Sequence, residues 1–170
     1  MQRRTLLKLG LASAVALALV GGGATLIRTS AWRTDRLSDI GRRILRSVAR
    51  AVLDGSLPTP AGAQELALDS HLDRMDATLR ALPPTMQAEV GKLLTLLGLA
   101  SGRLALTGLV ADWPLATVVQ VQDALQSMRT SRIDLRKQTY HALRDLTHAA
   151  YFAHPDTWVQ LGYPGPAKLA

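Results

Sequence analysis

The chain reads as an all-α protein, a compact bundle of about five helices behind an N-terminal signal or anchor helix, with an extended C-terminal tail. Three observations predict this. Leu and Ala dominate the sequence while aromatic residues make up 4% of it, a composition that suits helices better than sheets. Apolar residues recur at spacings of three and four in one segment after another. Finally, no run of alternating residues bounded by turns marks a strand.

The first element is Arg3-Arg4-Thr5-Leu6-Leu7-Lys8, followed by an apolar run from Leu9 to Ile27. Arg3, Arg4, Leu6, Leu7 and Lys8 match a twin-arginine export signal, the route that carries folded proteins across the bacterial inner membrane. An apolar core of about 20 residues is also long enough to span a bilayer. Gly22-Gly23-Ala24 or Thr29-Ser30-Ala31 offers small residues for cleavage, and neither is a clean Ala-x-Ala. The segment is therefore either removed or kept as an anchor on the periplasmic side of the membrane. Residues 1–31 form this signal or anchor, and residues 32–170 the helical domain. That remainder is one domain's worth of chain and can bury a core of its own.

The helices follow in order. Asp35 to Asp54 carries Leu37, Ile40, Ile44, Val48 and Val52 on one stripe and arginines opposite. Thr34 or Asp35 could cap it, Gly55 ends it, and Leu57-Pro58-Thr59-Pro60 makes the turn. Glu65 to Leu82 is the second helix, with Leu68, Leu72, Met75 and Leu79 on one face, and Pro83-Pro84 breaks it. Pro84 suits the first turn of a third helix, from Thr85 to Ala100. Its leucines fall on most sides, which points to a central, buried element. Gly98, Gly102 and Gly108 leave Ser101 to Val110 open between helix and irregular loop. After the turn at Asp112-Trp113-Pro114, a helix runs from Leu115 to Arg129, and the last from Ser131 or Asp134 to Phe152. Asp134 complements the dipole of that last helix.

The formal net charge of +7 is local. Arg28, Arg33, Arg36, Arg42, Arg43, Arg46 and Arg50 face only Asp35 and Asp39, whereas from Ala51 onward ten basic residues meet eleven acidic ones. The arginines form either a solvated helix face or a surface for lipid phosphates or an acidic partner. Nucleic acid is not expected as a partner, because the folded body lacks the basic face it requires. Absence of cysteine excludes thiolate catalysis, iron–sulfur clusters and c-type haem attachment.

Catalytic patterns are poor. The serines lack a Gly-x-Ser-x-Gly elbow, and Gly21-Gly22-Gly23 has no Lys-Ser/Thr after it. His71 with Asp69 and Asp73 reads as a surface cluster. His141 and His148 lie seven apart, two turns along one helix face, and His148 and His154 straddle its end. A metal site built from these three defines the alternative to a partner-binding role: a stand-alone, membrane-anchored periplasmic protein with a metal site, or a purely structural one.

The tail runs Tyr151-Phe152-Ala153-His154-Pro155-Asp156-Thr157-Trp158-Val159-Gln160-Leu161-Gly162-Tyr163-Pro164-Gly165-Pro166. Its prolines push each preceding residue to extended backbone, and Gly162 and Gly165 permit turns that other residues resist. Rigid aromatic side chains on such a segment either cover the domain's own helices or anchor an interface. This stretch resembles the C-terminal signature of the gluconate 2-dehydrogenase subunit 3 family: a helix ending in Tyr-Phe, a His-Pro turn, Trp, then Gly-Tyr-Pro-Gly-Pro. Val52-Leu53-Asp54-Gly55, Leu68-Asp69-Ser70-His71-Leu72 and the double proline are similar to further family elements, so the resemblance spans Leu37 to Pro166. The aromatic element usual before the fourth helix is replaced here by Leu104 to Leu109, which marks a divergent branch.

The resemblance implies a non-catalytic small subunit of a membrane-associated dehydrogenase, whose large subunit is a flavoprotein of the glucose–methanol–choline oxidoreductase type. It implies that FAD resides in that large subunit, with no cofactor in this chain. The small subunit would escort the folded flavoprotein through the twin-arginine route, and a cytochrome c subunit can take the electrons onward. Tyr151, Phe152, Trp158, Gly162, Tyr163, Pro164, Gly165 and Pro166 are the interface residues this reading selects.

Overall fold

The computed structural model describes residues 32–33, 36–158 and 162–165. Arg3, Arg4, Leu6, Leu7, Lys8 and the apolar run behind them lie outside the described residues, as does Pro166. Six α-helices follow in order: α1 (Asp39–Val52), α2 (Ala61–Arg80), α3 (Pro84–Gly98), α4 (Ala100–Thr107), α5 (Val118–Arg129) and α6 (Asp134–Phe152). The helix beyond the five expected is α4, formed in the stretch that the glycines leave open between helix and loop.

Start signals are local. The Ser38 side chain accepts from the Gly41 amide at 3.3 Å and caps α1, three residues beyond the expected Asp35. Pro84 occupies the first turn of α3, where its missing N–H costs nothing. Thr117 and Gln120 form a reciprocal capping box on α5, which delays that helix past the single 3-10 turn Trp113–Leu115. Upstream of α1 a two-residue antiparallel ladder corrects the expectation of no strand: Trp32 lies opposite Leu37, and Arg33 opposite Arg36. Strands this short carry no alternating pattern. The ladder is held from outside, where the Leu37 amide donates to Asp76 Oδ1 at 2.7 Å.

α1 is the hub, packing against α2, α3, α5 and α6. Ile44, Leu45, Val48 and Ala49 are wholly buried, and Gly41 and Ala51 keep its surface low enough for neighbours to approach. α3, expected at the centre, buries Val90, Leu93, Leu94 and Leu97 but leaves Leu99 at its end 40% exposed. Trp113 closes the far side of the core, its Nε1 donating to the Leu97 carbonyl at 2.8 Å while its own carbonyl accepts from Ser47 Oγ.

The α3–α4 junction turns by 100°. Leu99 is extended between the two helices, and Gly102 sits against the last turn of α3. A β-carbon on Gly102 would collide with the Leu96 carbonyl oxygen and lie 2.7 Å from Leu96 Cδ1. Among the described residues no single helix is long and apolar enough to cross a membrane. α3 and α4 reach that length and composition only together, across the bend.

The arginines of α1 have a purpose that neither sequence reading named. Arg42 pairs with Asp73 and Asp76 at 3.0 and 2.8 Å, Arg46 with Asp69 and with Glu65 at 2.7 Å, and Arg50 with Glu65. Residues spaced by four on α1 thus meet residues spaced by four on the antiparallel α2. Each pair is partly solvated, so the ladder contributes modestly. Arg46→Gln is expected to lower unfolding free energy by about 1 kcal/mol at low salt, with little effect at about 1 M salt. Urea titrations at the two ionic strengths measure the difference, and a salt-independent loss contradicts it.

Candidate partner-binding surface at the C terminus

The last turn of an α-helix leaves carbonyls without intrahelical partners. In α6 the chain that follows supplies them. Thr157 Oγ1 lies 3.1 Å from the Tyr151 carbonyl and 2.7 Å from that of His154, and Trp158 Nε1 donates to the Phe152 carbonyl at 2.7 Å. The Tyr163 amide then donates to the Trp158 carbonyl at 3.0 Å. Pro155–Thr157 is a single 3-10 turn, so the described part of the tail is coiled over the end of α6 rather than extended away from it. His154, before Pro155, is extended as that proline requires.

Gly162 and Gly165 both have positive φ, +65° and +96°, which side chains resist. They return the chain to Trp158, whose Cζ3 would touch a β-carbon on Gly165 at 3.4 Å. The Trp158 and Tyr163 rings meet edge to face, with centroids 5.4 Å apart. Trp158 is half-buried, Tyr163 is 48% exposed, and Gly162 and Pro164 are exposed. Tyr151 points the other way. It is buried with Ala49, Leu53 and Leu68 in a small second core, and its hydroxyl donates to the Ser56 carbonyl at 2.8 Å. Phe152 packs on the edge of that cluster, edge to face with Tyr151. The tail residues therefore divide: Tyr151 and Thr157 hold the fold, and Trp158 with Tyr163 forms an aromatic surface.

His71 corrects the surface cluster expected of it. Asp69 and Asp73 do face outward to Arg46 and Arg42, but His71 is wholly buried, edge-on to Tyr151 at 5.8 Å. Neither of its ring nitrogens has a hydrogen-bond partner among the described residues. Burial first, and the Arg74 guanidinium second, push its pKa down to about 4. The spacing that could have placed it is Leu68-His71-Leu72-Met75, one continuous helix face.

The other histidines do not converge. His141 meets Tyr140 edge to face, His148 packs tilted against Phe152, and His154 lies 3.4 Å from Asp156. Burial, and then Arg144, hold His148 below its ordinary pKa, with Asp145 opposing. Among the described residues no group of three or more His, Asp or Glu side chains could hold a metal ion. An open cavity of about 330 Å³ lies between the end of α4 and α5, lined by Thr107, Val110, Gln120, Asp123 and Ser127. The loop beside it is clamped by buried Arg103, which donates to the Leu109 and Val110 carbonyls and pairs with Asp112 at 2.7 Å.

No protein-family model, curated protein or solved structure matches this chain.

Proposed function

We propose that this chain is a non-catalytic small subunit that binds an FAD-carrying dehydrogenase of the glucose–methanol–choline type and supplies the twin-arginine leader for both. In this reading the complex works on the periplasmic side of the inner membrane, and a cytochrome c subunit takes its electrons. The observation that carries the reading is the Trp158–Tyr163 ring pair, locked onto the end of α6 with Tyr163 turned outward. A pre-ordered aromatic pair loses little entropy on docking, and such residues dominate interface energetics. The pair falls within the segment whose sequence resembles the family signature.

The test is capture. The full chain, tagged and co-expressed with a flavoprotein of that type, is expected to retain the flavin absorbance. Trp158→Ala with Tyr163→Ala is expected to weaken capture at least about 30-fold, as loss of one interface hot spot does. Recovery of the wild-type chain as a lone, stable monomer overturns the reading, as does capture by the double variant equal to that of wild type.

A further inference from the structure

We propose that His71 is a proton-operated latch beneath the C-terminal surface: charging its imidazole breaks the packing of α2 against Tyr151 and frees the Trp158–Tyr163 turn, so that the surface is lost as the surroundings acidify.

The geometry supplies the reason. His71 projects from α2 among Leu68, Leu72 and Met75, all wholly buried, and meets the edge of the Tyr151 ring. Neither ring nitrogen has a partner among the described residues. A neutral imidazole tolerates this, but an imidazolium has two donors and a full charge to satisfy. Among the described residues, no element packed on α2 offers it a counter-ion. From α1, Arg42, Arg46 and Arg50 are themselves cations, engaged with Asp73, Asp76, Glu65 and Asp69. From the strand that packs on α2, Arg36–Leu37, come the exposed Arg36 and the Leu37 amide, and the amide is taken by Asp76. From α6, Tyr151 faces it, with its hydroxyl donated to Ser56, and His148 one turn earlier packs tilted against Phe152. On α2 itself Arg74 stands one turn away and repels a second positive charge. The latch sits directly under the tail: Tyr151 touches His71 with its ring and accepts from Thr157 with its carbonyl. Pushing Tyr151 out therefore undoes the cap that orders Trp158.

The sign follows from the two states. Closed, His71 takes up its proton only near pH 4; opened, near its ordinary value of 6.5. Above pH 6.5 neither state is charged and the latch is closed. Between 6.5 and 4 each unit of pH favours the open state roughly tenfold, which amounts to about 30-fold at pH 5.

Release of a partner rests on the reading proposed above; the opening itself does not, and it is measured without a partner. Hydrogen exchange of the full chain, corrected for intrinsic rates, is expected to show amides 149–158 losing protection about 30-fold from pH 7 to pH 5. Amides 90–97 in α3 should keep theirs. His71→Phe, an apolar ring of similar shape, is expected to remove most of the pH dependence, leaving the smaller part due to His148. Equal loss in wild type and His71→Phe overturns the latch, and so does an unchanged tail at pH 5. If His71→Phe fails to fold, the wild-type ring decides by nuclear magnetic resonance. A His71 midpoint near 4 that coincides with tail opening supports the latch, and a midpoint near 6.5 in the folded chain overturns it. With the flavoprotein bound, pH 5 should weaken capture by wild type, by up to about 30-fold, and spare His71→Phe. Failure of capture at pH 7 would remove the partner reading while leaving the exchange result standing.

Discussion

Gly102→Ala is expected to cost about 3 kcal/mol and lower the melting temperature by about 10 °C. The cause is a collision with backbone rather than with a movable side chain. The new methyl group would occupy the space of the Leu96 carbonyl oxygen at the inner side of the 100° α3–α4 corner. Relief requires the corner to open. That disturbs Arg103, the next residue, which is 8% exposed and holds the 109–112 loop. Gly62→Ala is the control: nothing lies within 4 Å of a β-carbon there, and the change suits a helix. Thermal melts followed by far-ultraviolet circular dichroism compare the two. Equal melting temperatures would mean that the corner is not the tight contact described.

Tyr151→Ala is the second large effect, a loss of about 3 to 5 kcal/mol. Tyr151 is 4% exposed and packs among Ala49, Leu53, Leu68 and His71, so its removal leaves a cavity in the small second core. Tyr151→Phe separates the ring from its hydroxyl. It should cost only about 1 kcal/mol, the value of one hydrogen bond to the Ser56 carbonyl. Denaturant unfolding gives both numbers. In the alanine variant the fluorescence of Trp158 should also shift to longer wavelength, because the carbonyls of Tyr151 and Phe152 no longer position Thr157 and Trp158. A stable Tyr151→Ala chain with an unaltered tail would show that the tail orders itself without the buried ring.

Much of this architecture is readable in advance, and the failures have physical causes. The stripes of α1, α2, α3, α5 and α6 emerge from apolar spacing because each helix buries one face against a common core. The strand ladder does not, since two residues cannot display a period. α4 was obscured because glycine ordinarily signals looseness, whereas Gly102 marks the closest backbone approach in the corner. His71 was misjudged from its sequence neighbours, Asp69 and Asp73, which belong to the opposite side of the helix. Its own face, set by Leu68, Leu72 and Met75, is the better guide. The aromatic tail could be recognised but not oriented. Whether Tyr151 or Tyr163 turns inward depends on the hydrogen bonds of Thr157 and Ser56, and neither residue has a distinctive pattern.

The charged pairing of α1 with α2 carries a geometrical ambiguity of its own. Arg42, Arg46 and Arg50 recur every four residues, as do Glu65, Asp69 and Asp73. Sliding one helix along the other by four residues, about 6 Å, would re-form most of the same contacts with new mates. Such a series is a ruler without a zero. Asp76 lies outside it, three residues beyond Asp73, and alone also accepts the Leu37 amide from the strand ladder. A single carboxylate thus selects one alignment from several near-equal ones, and the two short strands are the datum from which the bundle is indexed.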